Sequence, residues 1–289
     1  MKKVIVIVGP TGSGKTKYSV QLAKAIGGEV INGDSVQIYR ELNVGSAKIK
    51  EEEKEGIKHH LFDIKNVLEP YSAFDFQKDV RRKIEEIDIP IIVGGTGYYI
   101  KSALFNYEFD EKSNFDENQY EDLSNQEIYE KLVKLDPNID VDINNRRRLI
   151  SGLRQALRGN LRSGKTSKNE PLYDIFIVYL DIERDKLEEL LEIRLDKQLE
   201  DGFIEEVKSL HNQEIKLNII GYRELDKYLA GIYSLEEAKR EIIKVSKRLA
   251  KKQKTWFKNQ MEVNMYNPLE INTQKKIIED VRNFLKESK

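Results

Sequence analysis

Short apolar runs and amphipathic stretches alternate along the chain. The first run, VIVIV at residues 4–8, is continuous and β-branched, and Gly9 and Pro10 end it. Such a run is typical of a strand that is buried on both faces of a parallel sheet. In the next stretch, residues 15–28, Tyr18 and Leu22 recur at helical spacing and two glycines end the pattern. This stretch is therefore predicted to be a helix.

Three further segments have the pattern of strands. They are EVINGD at residues 29–34, IPIIVGGTG at residues 89–97 and DIFIVYLD at residues 174–181. Strands that alternate with helical patterns are typical of a doubly wound parallel sheet. We therefore predict an α/β fold, in which a parallel sheet is flanked by helices and carries a small helical insertion.

Charge is distributed unevenly on a chain whose formal net charge is only −1. Residues 106–143 hold 12 acidic and 3 basic residues, and they interrupt the alternation of strands and helices. We predict a helical insertion at 107–141 that helps to hold a partner, within a core formed by 1–106 and 142–289. Residues 146–168 hold 8 basic and no acidic residues.

A second basic block, residues 239–258, holds 9 basic residues against one acidic residue. Its apolar residues Ile242, Val245, Leu249 and Trp256 predict one buried helix face. The two basic blocks are either solvated helix faces or a surface that binds a polyanion, and two such blocks on a near-neutral chain favour the polyanion.

Composition excludes several classes of protein. The 289 residues include no cysteine, which excludes disulfides, thiol catalysis and cysteine-based zinc sites and is typical of a reducing cytoplasm. No apolar run approaches the length of a membrane span. The expectation is a cytoplasmic globular protein that does not bind membranes.

The turn after the first strand carries the clearest motif. GPTGSGKT at residues 9–16 matches G-x-x-x-x-G-K-[ST], whose backbone amides and helix N-terminus bind phosphate groups. Lys15 is expected to contact the terminal phosphates and Thr16 to hold Mg²⁺ through its hydroxyl. The predicted diphosphate-binding residues of this phosphate loop are Gly9, Thr11, Gly12, Ser13, Gly14, Lys15 and Thr16.

The phosphate loop alone does not say which phosphate compound is bound. The third predicted strand ends without the carboxylate that often orients Mg²⁺, although Asp181 after the fourth strand could substitute, and no guanine-reading NKxD motif is evident. Asp34 follows the second strand, where ligands bind in open α/β sheets. It could ligate Mg²⁺, act as a general base, or merely form an Asx turn. The pair His59 and His60 is a weak candidate for a metal site.

Several phrases together resemble one family. GPTGSGKT, GDSVQIYR, KHHLFDI, YSAFDF, IIVGGTGYYI, IIGYRE and KRLAKKQKTWF occur in the order seen in the tRNA dimethylallyltransferases, across about residues 4–260. The resemblance implies transfer of a dimethylallyl group from dimethylallyl diphosphate, with Mg²⁺ as cofactor. The implied acceptor is the N6 amine of the adenosine 3′ to the anticodon, in tRNAs that read codons beginning with U. The bacterial type is the better match.

The resemblance also implies roles for particular residues. Asp34 would take the proton from the adenine amine, Thr96 would lie at the reacting centre, and Arg223 would contact the diphosphate or tRNA. With Lys15, these are the predicted catalytic residues. Residues implied to contact tRNA at its anticodon stem-loop are Asp34, Ser35, Val36, Gln37, Thr96, Arg147, Arg148, Lys247 and Arg248.

This chain departs from the family pattern at several positions of its basic blocks. Arg146, Ser151 and Arg154 stand where the family usually has Pro, Arg and Glu, and Lys247 stands where Arg is commoner. These changes could weaken or redistribute tRNA docking, or alter the choice of substrate. The other readings are a small-molecule or nucleotide kinase, a non-catalytic RNA-binding protein, and an enzyme that prenylates free AMP. The chain is expected to act as a monomer.

Overall fold

A computed structural model of the chain describes residues 1–109, 117–164 and 169–287. Contacts divide the chain into two compact units, the first formed by Met1–Leu104 with Pro171–Lys289 and the second by Phe105–Glu170. No helix among the described residues is both long and apolar enough to cross a membrane.

The first unit is built on a parallel sheet of six strands among the described residues. In chain order they are β1 (Lys3–Val8), β2 (Glu29–Asn32), β3 (His59–His60), β4 (Pro90–Gly94), β5 (Asp174–Leu180) and β6 (Asn264–Tyr266), and their order in the sheet is β3-β2-β4-β1-β5-β6. Every pairing is parallel. The predicted α/β fold with a parallel sheet is confirmed.

Helices cover the sheet and extend beyond it. Those of the first unit are α1 (Lys15–Ile26), α2 (Ala73–Glu86), α3 (Gly97–Leu104), α6 (Arg184–Glu200), α7 (Phe203–His211), α8 (Tyr222–Leu229), α9 (Leu235–Gln260) and α10 (Thr273–Lys286), and those of the second are α4 (Asn125–Leu135) and α5 (Arg146–Ala156). Short 3₁₀ helices lie at Glu51–Lys54 and Glu117–Tyr120.

The core of the first unit explains why β1 lies near the middle of the sheet. Every residue of the run at 4–8 is fully buried. Ile5 and Ile7 pack in one cluster with Leu22 of α1 and Ile277 of α10. Burial on both faces is what a continuous apolar run requires, because both sets of alternating side chains need an apolar partner.

The strand order brings three loops to one edge of the sheet. In a parallel sheet all strands end at the same edge, and β4 lies between β2 and β1. The loops that follow β2, β4 and β1 carry GDSVQ, GGTG and the phosphate loop. The motifs that are far apart in sequence are therefore neighbours in the fold.

The second unit is larger than the predicted insertion. Leu149 and Leu153 of α5 pack with Ile128 and Leu132 of α4 in one buried cluster. The boundary predicted at residue 141 was wrong, since the apolar face of α5 needs α4 as its partner and 142–170 therefore belongs with the insertion. The charge pattern, from which the boundary was predicted, does not report this packing.

Candidate active site

The phosphate loop has the backbone conformation that anion binding requires. Gly12 and Gly14 have φ of 85° and 80°, a region that favours glycine. A Cβ at Gly9 would lie 2.7 Å from the carbonyl oxygen of Leu180, so only glycine fits there. Gly14 begins α1 without a side-chain cap. The N–H groups of the first turn are thus available to bind phosphate oxygens.

Lys15 lies folded against the loop that precedes it. Its Nζ donates hydrogen bonds to the carbonyl oxygens of Gly9 at 3.0 Å and Pro10 at 2.9 Å. Burial, together with the positive charge of Arg194, lowers the pKa of Lys15 from 10.5 to about 8, and Asp34 acts in the opposite direction. Next to it, the buried Oγ of Ser13 has no hydrogen-bond partner among the described residues.

Asp34 forms the Asx turn that was one of the roles left open by the sequence, and its roles as general base or Mg²⁺ ligand stay predictions. Its Oδ1 accepts a hydrogen bond from the backbone nitrogen of Val36 at 2.8 Å, which is the geometry of an Asx turn. Its charge also opposes the lowering of the pKa values of Lys15 and Arg194. The turn therefore orients a carboxylate toward the phosphate loop.

Thr96 connects the loops after β4 and β2. Its Oγ1 accepts a hydrogen bond from the backbone nitrogen of Ser35 at 3.2 Å and donates to Ser35 Oγ at 3.3 Å. The two strand ends approach so closely that a Cβ on Gly94 would lie 2.1 Å from the carbonyl carbon of Gly33. Thr96 and Asp34 are thereby brought to the same place, as their motifs predicted.

Arg194 belongs to this site, and sequence reasoning missed it. It is a half-buried residue of α6, and burial lowers its pKa while Asp34 raises it. Its guanidinium donates to the carbonyl oxygen of Ser46 at 3.4 Å. No local motif marks Arg194, because a single arginine within a charged helix is usually a solvated one.

Gln37, predicted to contact tRNA, meets Arg194 at the same carbonyl group. Its Nε2 donates to the carbonyl oxygens of Ser46 at 3.0 Å and Ala47 at 3.4 Å. With the amide nitrogen held in this way, Oε1 remains as an acceptor. The backbone at 46–47 therefore fixes the orientation of the Gln37 side chain.

Helix α9 contributes Gln253, which the sequence did not single out, and Trp256, which was predicted to belong to its apolar face. Gln253 Nε2 donates to the carbonyl oxygen of Gly95 at 2.9 Å, and its buried Oε1 has no partner among the described residues. A Cβ at Gly97 would lie 2.4 Å from the ring of Trp256. The motif KKQKTWF thus packs against GGTG through Gln253 and Trp256.

Arg223 has its partners on its own stretch of chain. Its Nε donates to Glu224 Oε1 at 2.8 Å and its Nη1 to Asn218 Oδ1 at 3.0 Å. These bonds hold the guanidinium at the start of α8. The catalytic role implied for Arg223 stays a prediction.

The basic face of α9 lies opposite an acidic face of α6. The two helices line a cavity of about 1060 Å³. Lys247 pairs with Glu188, Lys239 with Asp196 at 2.8 Å, and Lys254 with Asp181 at 2.8 Å. Part of the charge predicted to bind a polyanion is therefore balanced within the protein.

The apolar face predicted for this helix is only partly correct. Ile242 is buried, but Leu249 is 38% exposed, and the buried positions toward the end of the helix are Ala250 and Phe257. Arg248 is exposed. The tRNA contacts implied for Lys247 and Arg248 stay predictions.

In the second unit, Arg147 and Arg148 are exposed on α5, as residues that bind a polyanion must be. The preceding Arg146 has a different role. Its guanidinium donates to the carbonyl oxygens of Tyr120 at 2.6 Å and Leu123 at 2.6 Å, and also to Glu121 and Asn125. The departure from the family pattern at Arg146 thus ties α5 to the segment before α4.

The donor set of the site fits a magnesium ion that is bound mainly by its substrate. No group of three or more His, Cys, Asp or Glu side chains within the described residues could hold a metal ion. Asp181 is paired with Lys254, so the Thr16 hydroxyl at the start of α1 and the Asp34 carboxylate are the remaining candidates among those that the sequence offered. Mg²⁺ commonly keeps several waters and takes few protein ligands when it bridges phosphates. The histidine pair was the other candidate for a metal site, and Nε2 of His60 lies 2.7 Å from Oε2 of Glu29 on the neighbouring strand.

Comparison with known proteins gives one consistent result. Residues 37–260 match the family model described as IPP transferase. A "tRNA dimethylallyltransferase" of Acholeplasma laidlawii is 51% identical over 285 residues, which cover 99% of each chain. A crystal structure of a tRNA isopentenylpyrophosphate transferase from Bacillus halodurans is 35% identical, with a TM-score of 0.75 and coverage of 99% of this chain and 96% of that one. A eukaryotic dimethylallyltransferase acting on tRNA is 29% identical, with a TM-score of 0.84 and coverage of 99% and 80%.

Proposed function

The chain belongs to the IPP transferase family, and we propose that it transfers the dimethylallyl group of dimethylallyl diphosphate to tRNA. The family predicted from the sequence phrases is thereby confirmed. We further propose that the acceptor is the N6 amine of the adenosine 3′ to the anticodon, in tRNAs that read codons beginning with U. The products are isopentenyladenosine and diphosphate.

One arrangement carries the proposal: the loop with Asp34 and the phosphate loop follow strands that end at the same edge of the sheet, and the charge of Asp34 opposes the lowering of the pKa values of Lys15 and Arg194. Two cations and the free N–H groups of α1 suit a diphosphate that gains charge as it leaves. A carboxylate beside them suits a weakly nucleophilic amine that must lose a proton.

The reaction needs two bonds broken and two bonds formed, one pair at carbon and one pair in the proton transfer. The bond between C1 of the donor and its diphosphate oxygen breaks, and a bond between C1 and N6 of the adenine forms. Asp34 accepts the proton that N6 loses. Lys15 and Arg194 bind the departing diphosphate, and Thr96 holds the Asp34–Ser35 segment in position through Ser35. The target base must leave the anticodon stack to reach these groups.

Mg²⁺ is part of the proposal. Thr16 would hold it at the phosphate loop, where it would neutralise charge on the diphosphate. We also propose that the protein is a cytoplasmic enzyme and that it acts as a monomer. The exposed Arg147 and Arg148, with Arg248 and Lys247 on α9, supply positive charge for the tRNA backbone.

A reaction with either of two donors tests the proposal. The full chain is incubated with unmodified tRNA and Mg²⁺, and receives either dimethylallyl diphosphate or ATP. Isopentenyladenosine in the digested tRNA, with an equal amount of diphosphate, is the expected result. Formation of ADP in place of both products would indicate a kinase and overturn the proposal. Free AMP in place of tRNA is the control for the acceptor, and it should give no product.

A further inference from the structure

One carboxylate outside the catalytic centre binds an entire turn of the loop after β2. Glu206 of α7 accepts hydrogen bonds from the backbone nitrogens of Asn43 at 2.8 Å, Val44 at 2.8 Å and Gly45 at 3.0 Å. It also accepts a bond from the hydroxyl of Tyr222 at 2.6 Å. Four donors on one side chain occupy most of the acceptor capacity of a carboxylate.

The same turn is held from its other side. The Nε2 of Gln198 donates to the carbonyl oxygens of Val44 at 2.7 Å and Gly45 at 2.9 Å. The backbone of residues 43–47, which we call the 43–47 turn, is thus bound through its N–H groups by Glu206 and through its carbonyl groups by Gln198. Gly45 leaves little freedom to shift, since a Cβ there would lie 2.2 Å from the ring of Phe203.

The far end of the 43–47 turn carries the carbonyl groups that orient active-site side chains. Ser46 and Ala47 accept the hydrogen bonds of Gln37, and Ser46 also accepts the bond of Arg194. A displacement of the turn therefore moves the partner atoms of Gln37. Gln37 follows Asp34 by three residues, and both lie in the segment that is proposed to contact the base.

We propose that Glu206 is a positioning residue, which sets the orientation of Gln37 toward tRNA through the 43–47 turn. This inference rests on the proposed function for the role of Gln37. A carboxylate suits the task because it accepts all four bonds, whereas an amide of the same shape presents an N–H group to one pair of donors. Those donors would then lack an acceptor and the turn would shift.

The first test compares two neighbouring glutamates of α7. Glu206→Gln is expected to weaken the binding of an unmodified anticodon stem-loop about tenfold, with kcat changed less than about twofold. Donor affinity should fall by a smaller factor than tRNA affinity, because Arg194 contacts the turn through one bond of 3.4 Å whereas Gln37 makes two. Glu205→Gln is the matched control, because Glu205 is exposed on the same helix, and it should leave all three quantities unchanged. Unaltered tRNA binding by a folded Glu206→Gln variant would overturn the inference.

A double-mutant cycle separates positioning from general stability. If Glu206 acts through Gln37, then Glu206→Gln has no further effect on tRNA binding when Gln37→Ala is already present. Losses that simply add would mean that Glu206 does not act through Gln37. Should Glu206→Gln fail to fold, Gln198→Met is used in the same cycle, since it removes the bonds to the other side of the same turn. A folded Gln198→Met protein with normal tRNA binding would contradict the inference.

Equilibrium binding keeps this test apart from that of the proposed function. The stem-loop is titrated without the donor, so binding is measured whether or not transfer occurs. Normal binding without transfer by the unmutated protein would count against the proposed function alone. Equal affinities of the unmutated and Glu206→Gln proteins would count against the positioning role alone.

Discussion

The Thr96 hydroxyl accepts a hydrogen bond from the backbone nitrogen of Ser35 at 3.2 Å. This bond joins two motifs that lie 61 residues apart in the chain and follow adjacent strands of the sheet. Because Asp34 directly precedes Ser35, the bond also restrains the backbone that carries the Asp34 carboxylate, whose charge acts on the pKa values of Lys15 and Arg194. The proposed acceptor side and donor side of the reaction meet at this point.

Asp34→Asn should separate the charge of Asp34 from its role in the turn. The amide oxygen can still accept the bond from Val36, but it cannot take the proton of the adenine amine. We expect kcat to fall about 10²- to 10⁴-fold while donor affinity changes little. Rapid-mixing kinetics and donor titration measure the two quantities. A collapse of donor affinity would show instead that Asp34 serves chiefly to hold the metal ion.

The pH dependence of donor capture should report on Lys15. With its pKa at about 8, the side chain is charged below that pH and neutral above it. Since only the charged form attracts the diphosphate, kcat/KM for the donor should decrease as the pH rises through about 8. Bound diphosphate favours the ammonium form, so kcat should stay level to a higher pH. Steady-state profiles of both parameters check this.

Arg194→Gln is the matched variant for that measurement. Removing this positive charge should raise the pKa of Lys15, and the decrease in kcat/KM should move to higher pH. Donor KM should rise at every pH, because Arg194 is itself proposed to bind the diphosphate. Arg184→Gln, on the exposed face of the same helix, serves as the control. A profile that does not move would show that Arg194 is not coupled to Lys15.

Removal of Arg147 and Arg148 tests whether α5 contacts the tRNA backbone. The double alanine variant should bind tRNA more weakly. The plot of log affinity against log salt concentration, which slopes downward, should become less steep by about 1 to 2 for two lost phosphate contacts. Titrations at several salt concentrations measure the slope. Alanine at Lys131 and Lys134, two exposed lysines of α4, is the control of equal charge. An equal loss of slope in both variants would mean that only net charge matters.

Arg146→Met should destabilise the second unit. The change removes guanidinium bonds to Tyr120, Glu121, Leu123 and Asn125, so we expect the unfolding free energy of this unit to fall by about 2 kcal/mol. Hydrogen exchange of the amides of α4 and α5 measures it. Arg147→Met, at an exposed neighbouring position, should have no such effect. Equal exchange rates in the two variants would contradict the structural role of Arg146.

The sequence predicted the parts of the molecule that have strong local patterns. The run at 4–8, the phosphate loop and the glycine-closed helix α1 all follow from neighbouring residues. Strands β3 and β6 were not predicted, because two and three residues at the sides of a sheet leave no apolar run. Arg194 could not be predicted either, since its proximity to Lys15 depends on how α6 packs and not on its own neighbours. The predicted boundary of the second unit was wrong for the same reason, since it depends on the packing of α5 against α4.

The central claim is that the phosphate loop binds the diphosphate of a prenyl donor whose acceptor is a tRNA adenosine. The most direct measurement uses an anticodon stem-loop and donor labelled in the dimethylallyl group, with Mg²⁺ present. We predict that label appears on the adenosine 3′ to the anticodon and that one diphosphate is released for each label transferred. No label should appear when guanosine replaces that adenosine. Label elsewhere in the RNA, or none at high enzyme concentration, would contradict the account.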